Sequence, residues 1–308
     1  MPPPRRNILI FHAAALGDFI VTWPLALALA RVHPQSRVFY VTQRTKGLLA
    51  ERVLRLESAD SEAGWHAMFT AGSTLPEPQA RLLAGAHSVV SFLSTPGDAF
   101  SENVNRLAPG SNYLPMTVSP PPDFAGHVTD HLLAQLESWP AVQGALVQVL
   151  RSVASRGVGG NPPQGDAVLV HPGSGAKRKC WPPGRFVELI RRLKDEGKGV
   201  RVALGEVELE TWPADDLRHV ESVADFVRPR DYVELLDEVM NAGSYVGNDS
   251  GPSHLAGITG LPTVALFGPS NPTQWHPLGP RVEIVRGATM EDITVEEVHQ
   301  ALLAVTNR

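Results

Sequence analysis

The chain is built from short, almost wholly apolar runs. Each stops at a turn rich in glycine, proline, serine or aspartate, and a longer segment with helical spacing follows. A strand buried on both faces has this pattern, and a parallel sheet covered by helices is the architecture that buries strands in that way. Asn7–His12 (NILIFH) is the first run, Arg37–Thr42 (RVFYVT) the second and His87–Leu93 (HSVVSFL) a further one. Between them the spacing predicts a helix from the end of loop Ala13–Asp18 to about Val32, and another over Lys46–Glu57. Residues 60–80 and 94–125 are rich in Gly, Pro and Ser and show no clear period, while His127–Trp139 and Val142–Ala154 read as helices.

The alternation then stops and restarts. Residues 155–166 (SRGVGGNPPQGD) hold four glycines and two prolines with no apolar period, the composition of a linker. Beyond them come strand Asp166–His171, helix Gly184–Glu196, strand Val200–Leu204, helix Asp231–Asn241 and strand Ser244–Asn248. A short helix near Pro252 and strand Thr263–Phe267 follow, and the amphipathic helix Thr294–Val305 closes the chain, with Thr294 as its N-cap ahead of Glu296 and Glu297. The expectation is two α/β domains, 1–155 and 166–308, joined by a flexible hinge, with the final helix free to pack back toward the first domain. Ligands bind at the carboxyl ends of strands in open α/β sheets, and two such sheets facing each other make one deep cleft.

A length of 308 residues suits two domains, and 43% hydrophobic with 19% charged residues excludes a mainly disordered chain. The lone cysteine, Cys180, excludes an intramolecular disulfide and a multi-cysteine metal cluster, and points to a reducing compartment. A net charge of −5 argues against a general nucleic-acid binder. Arg5 and Arg6 ahead of an apolar stretch ending in Ala28-Leu29-Ala30 have the look of a secretory signal. His12, Gly17, Asp18 and Trp23-Pro24 interrupt it, and the remainder, Phe19–Ala30, is too short to span a bilayer. The competing reading is strand, tight turn and buried helix.

Three turns carry candidate chemistry. In His12–Asp18 (HAAALGD), Gly17 permits a sharp turn or close approach to a ligand, and Asp18 lies beside a helix start. Asp18 is either an N-cap or a carboxylate held at the ligand edge, able to accept a proton from a substrate hydroxyl. In His171–Pro182 (HPGSGAKRKCWP), glycines, Ser174 and the cations Lys177, Arg178 and Lys179 make either a phosphate loop or an ordinary basic surface loop. In Gly247–His254 (GNDSGPSH), Asp249 or Ser250 can cap the next helix, and Gly251-Pro252 opens an anion-binding N-terminus. His254 is either a core or capping histidine or a ligand contact. His254 with Asp249 lacks a second histidine at ligand spacing, so no dedicated metal site is expected. Trp275 can stack on a base or sugar, although packing is the commoner use. No Gly-x-Gly-x-x-Gly follows the first strand, which argues against a dinucleotide-dependent oxidoreductase.

Taken in order, ALGDFIVTWPLALAL, HPGSGAKRKCWPPGRFVELI, LGEVELE and VGNDSGPSHLAGITGLPTVALFGPSNP resemble the heptosyltransferases of glycosyltransferase family 9 over nearly the whole chain. The resemblance implies the GT-B fold: two Rossmann-like domains facing each other across a cleft. It implies inverting transfer of heptose from ADP-heptose to a lipopolysaccharide-core-type acceptor, with no metal and no other cofactor. Asp18 then matches the catalytic base. Gly173, Ser174 and Lys179 match the loop that holds the donor diphosphate, and Glu208 the acid on the ribose, with Glu206 as the alternative register. Asp249, Ser250, Gly251 and His254 match the loop for the donor sugar and phosphate. His12, Gly17, Arg44 and Lys46 are candidates for the acceptor side.

The implied partners are the nucleotide sugar and an anionic glycan or glycolipid, not nucleic acid. The implied place is the cytoplasm, with peripheral contact at the inner membrane. The first 55 residues carry eight basic side chains against Asp18 and Glu51, a bias that suits an anionic acceptor or membrane surface, or is merely solvated. The family's first loop usually has a basic residue and two serines where this chain has His12, Ala13, Ala14 and Ala15, and Val21 stands where some members have histidine. The acceptor and the donor sugar therefore stay open. So do a nucleotide-sugar epimerase or hydrolase on a similar fold, and a non-catalytic binder. Cleavage of the N-terminus as a signal would remove the first strand and Asp18, which the resemblance disfavours.

Overall fold

The computed structural model describes residues 6–160, 163–205 and 214–307. The chain divides into two compact units, Met1–Arg151 and Ser152–Arg308. The first contains β1 (Asn7–Phe11), α1 (Leu16–Val21), α2 (Trp23–Val32), β2 (Arg37–Thr42), α3 (Arg44–Leu54) and β3 (Glu57–Asp60). It continues with α4 (Glu77–Ala84), β4 (Ala86–Ser91), α5 (Ala99–Leu107), β5 (Asn112–Pro115) and α6 (Val128–Ala134), and α7 (Pro140–Arg156) runs through the division. The five strands are all parallel, in the order β3-β2-β1-β4-β5.

β1 is buried along its whole length because it lies in the middle of this sheet with apolar side chains on both faces. On one face Phe11 meets Trp65 and Phe100 edge-on, with ring centroids 5.0 and 4.9 Å away. On the other, Phe19 of α1 packs edge-on against Tyr40 of β2 at 4.7 Å. The single helix expected up to Val32 is two helices. Pro24, the second residue of α2, has no N–H to continue the ladder, and the Thr22 hydroxyl donates back to the Phe19 carbonyl at 2.7 Å.

The second unit contains β6 (Val168–His171), α8 (Pro183–Asp195), β7 (Val200–Ala203), α9 (Ala214–Val223), β8 (Asp225–Val227) and α10 (Tyr232–Met240). β9 (Ser244–Asn248), α11 (Gly251–Ile258), β10 (Thr263–Phe267), α12 (Pro272–Trp275), β11 (Val282–Arg286) and α13 (Val295–Thr306) complete it. Its six parallel strands are ordered β11-β10-β9-β6-β7-β8. α13 begins with a capping box, Thr294 with Glu297, and packs on β9, β10, β11 and α8 of this same unit.

The stretch expected to be a hinge is tied down where it is described. Val158 donates its N–H to the Ile258 carbonyl at 2.7 Å and Gln164 to that of Met240 at 3.1 Å. Gly165 passes so close to the Asn241 carbonyl oxygen that a Cβ there would lie 1.9 Å from it, which only glycine permits.

Each sheet reverses its strand order at one point, between β1 and β4 in the first and between β6 and β9 in the second. The loops leaving the two strands part there, opening the crevice in which doubly wound sheets bind ligands.

Candidate active site

At the carboxyl end of the second sheet, the loop after β6 and the turn after β9 are laced together. Asn248, the last residue of β9, is fully buried. Its side-chain amide donates to the Pro172 carbonyl at 2.7 Å and, more distantly, to that of Gly173 at 3.4 Å. Its Oδ1 accepts the Trp181 N–H at 3.0 Å. One amide thus holds both ends of the loop Gly173–Cys180. Trp181 is itself anchored in the core, with its indole N–H donating to the Ile293 carbonyl at 2.9 Å.

Within the loop, the Ser174 hydroxyl donates to the Asp249 backbone carbonyl at 2.9 Å, and Lys179 forms a 2.7 Å ion pair with the Asp249 carboxylate. Lys177 and Arg178 point to solvent, and the Cys180 thiol reaches the Ala176 carbonyl at 3.6 Å. The structure therefore brings Gly173, Ser174, Lys179 and Asp249 together around β9. Ser250 is the N-cap of α11 by position, but its buried hydroxyl makes no capping bond. Gly251 opens the helix, and His254, one turn in, is 4% exposed. Glu208 and Glu206 lie outside the described residues.

The first sheet has its own constellation at the same edge. Asp18 is the third residue of α1, one turn beyond the cap position taken by Ala15, so it does not cap the helix. Gly17, the second residue of α1, does not have a positive φ, so the loop does not turn on a left-handed glycine there. His12 is fully buried between Phe19 and Phe92, with centroids 5.4 and 5.7 Å away. Burial first, and then the Lys46 ammonium, push its pKa down to about 3, against an opposing contribution from the Asp18 backbone.

Lys46, the third residue of α3, is 6% exposed, and its ammonium donates to the Ala14 carbonyl at 2.7 Å. Burial lowers its pKa, and the nearby charge of Asp18 opposes that. His12, Asp18 and Lys46 thus form one electrostatic group, whereas Arg44, first in α3, stands exposed. Among the described residues, no three His, Cys, Asp or Glu side chains converge on a possible metal position. Among them, too, no helix is long and apolar enough to cross a membrane.

Sequence reasoning missed two residues here, Asn248 and Trp181. The available signal was an asparagine ending an otherwise apolar buried strand, since a buried amide must find partners.

The model for glycosyltransferase family 9 (heptosyltransferase) matches residues 147–303, which takes in the whole second sheet and its laced loops. The chain belongs to this family. Lipooligosaccharide heptosyltransferase 2 of Haemophilus influenzae is 28% identical over 141 residues, 42% of this chain and 40% of that protein. Lipopolysaccharide heptosyltransferase 3 of Escherichia coli is 27% identical over 119 residues, 36% of this chain and 33% of that protein. The family 9 chain thus spans well under half the length of these curated relatives in the matched regions.

Solved structures match it from end to end. A glycosyl transferase family 9 protein from Veillonella parvula superposes with a TM-score of 0.71 at 17% identity, covering 100% of this chain and 99% of that one. The E. coli ADP-heptose lps heptosyltransferase II superposes with 0.70 at 16% identity and 98% coverage of each. These place the chain in the two-domain α/β fold of heptosyltransferases, the GT-B fold.

Proposed function

We propose that this chain is an inverting glycosyltransferase. It takes a heptose or related sugar from an ADP-sugar and attaches it to an anionic acceptor of the lipopolysaccharide-core type. The observation that carries the reading is the pairing of Ser174 and Lys179 with Asp249, in a loop whose two ends Asn248 holds, beside the switch point of the second sheet. In a family 9 chain this is the edge on which a nucleotide sugar is expected to lie.

The chemistry is a single displacement at the anomeric carbon. Asp18 accepts the proton of the attacking acceptor hydroxyl as the bond to the sugar forms on the face opposite the diphosphate. Negative charge grows on the departing ADP. Lys179, the Ser174 hydroxyl and the N–H groups around Ser250 and Gly251 stabilise it in place of a metal ion. Lys179 can serve the diphosphate by sharing its ammonium protons between Asp249 and a phosphate oxygen. The carboxylate of Asp249 then turns to the sugar hydroxyls, with His254 alongside. The acceptor's anionic groups meet the basic side chains of the first 55 residues, and the expected place of work is the cytoplasmic face of the inner membrane.

The test is a thermal-shift series with ADP, UDP and GDP, followed by transfer assays with ADP-heptose. ADP should bind at least about tenfold more tightly than the others, roughly 1.4 kcal/mol. Asp18→Asn should lower transfer by about 10²- to 10⁴-fold and leave ADP binding intact. A preference for UDP would remove the donor assignment. Rapid turnover of the nucleotide sugar without acceptor would point to a hydrolase or epimerase, and ADP binding with no turnover in either form to a non-catalytic binder.

A further inference from the structure

Lysine is rarely buried without a partner, and Lys46 is 6% exposed. From the first turn of α3 its ammonium crosses to the loop between β1 and α1 and donates to the Ala14 carbonyl at 2.7 Å. That loop leads directly into the turn of α1 that carries Asp18. An ammonium has three donors and one full charge, and a backbone carbonyl meets only part of this.

The carboxylate that acts on the Lys46 charge is Asp18. A second titratable neighbour, His12 just after β1, is fully buried between two phenylalanine rings and stays neutral at ordinary pH. Arg44, on the same helix, is exposed to solvent. Lys46 is thus a buried cation coupled to Asp18, and it is held in place by a bond to the very loop that leads into the carboxylate.

We propose that Lys46 is a positioning residue for Asp18: anchored on the Ala14 carbonyl, its ammonium clamps the β1–α1 loop and sets a fixed positive charge at the turn of α1 that carries the carboxylate. This rests on the reading of Asp18 as the base, and it moves Lys46 from the acceptor surface to the support of that base. An ionised carboxylate in a fixed loop can take a proton without first losing one or finding its place.

The ionisation can be read without donor or acceptor. In the full-length protein with aspartate labelled at ¹³Cγ, the Asp18 signal is assigned through Asp18→Asn and followed through a pH titration. Lys46→Met should raise the Asp18 midpoint by about one pH unit or more, and Lys46→Arg should keep it near the wild-type value. Because coupling between two sites is reciprocal, Asp18→Asn should in turn lower the midpoint of the Lys46 ammonium, followed at ¹⁵Nζ. This second arm stands even if Lys46→Met does not fold.

An Asp18 midpoint that does not move in folded Lys46→Met, or a Lys46 midpoint that does not move in Asp18→Asn, overturns the proposal. A Lys46→Met protein with an unmoved midpoint and a raised acceptor KM would mark Lys46 as an acceptor contact instead. If the midpoints move but the acid limb of kcat/KM for transfer from ADP-heptose does not follow in Lys46→Met, the pairing stands and the role of Asp18 as base falls.

Discussion

His12 shows how much a single buried side chain can impose. It directly follows the first strand, is fully buried, and has its pKa pushed down to about 3 by burial and by Lys46. In the unfolded chain the same imidazole takes up a proton below about pH 6.5. Between those two values the unfolded state binds more protons than the folded one, so stability is lost as pH falls through this window and is fully present above it. From pH 8 to pH 5 the loss from His12 alone is on the order of 2 kcal/mol. Urea midpoints should fall accordingly for the wild-type protein, and His12→Leu should flatten that dependence by a similar amount. An unchanged pH dependence in His12→Leu would mean that His12 is not the group responsible. The histidine at the strand end was legible in the sequence, whereas its neutrality was not. Neutrality depends on Phe19, Phe92 and Lys46 closing around it, and these come from separate elements.

At the scale of the element, the central strands could be read and the edges could not. Arg37–Thr42, Ser244–Asn248 and Thr263–Phe267 fall where the apolar runs predict, because strands buried on both faces leave an unbroken apolar signal. β3, β5, β8 and β11 were missed. They are half-exposed edge strands that alternate or mix polar with apolar residues, and β5 ends in Pro115, so no continuous run marks them. α5 escaped because its polar residues mask the burial of Phe100 and Val104. Its start is set by Asp98, whose side chain accepts the Ser101 N–H at 2.8 Å.

The laced loop is an element-scale device with its own test. Asn248 must donate on one side and accept on the other, which an amide does and a carboxylate does not. Asn248→Asp keeps an acceptor for the Trp181 N–H but sets a buried charge against the Pro172 carbonyl oxygen. A loss of about 1–3 kcal/mol in unfolding free energy is expected, together with weaker ADP binding. Calorimetry and titration on the one variant check both.

For the whole molecule, two sheets with the same reversal of strand order each gather candidate residues at the carboxyl edge. Hydrogen exchange with and without ADP tests which edge takes the nucleotide. At about a hundred times Kd, ADP should add up to roughly 2.7 kcal/mol of protection around Gly173–Trp181 and Asn248–His254. Protection confined to β1 and α1 would reverse the assignment of the two units. The sequence alone determined that there would be two parallel sheets covered by helices, where their central strands run, and that Asp18, Ser174, Lys179 and Asp249 follow closely after strand ends. Those are properties of neighbouring residues: unbroken apolar runs, turn chemistry and charge placed directly after a strand. Only the tertiary structure decided that Asn248 holds both ends of the loop after β6, that Lys179 is paired with Asp249, and that Lys46 reaches the loop before Asp18. Those pairings join residues far apart in the chain, which parallel strands bring to one edge because crossover connections return each strand to the same end of the sheet.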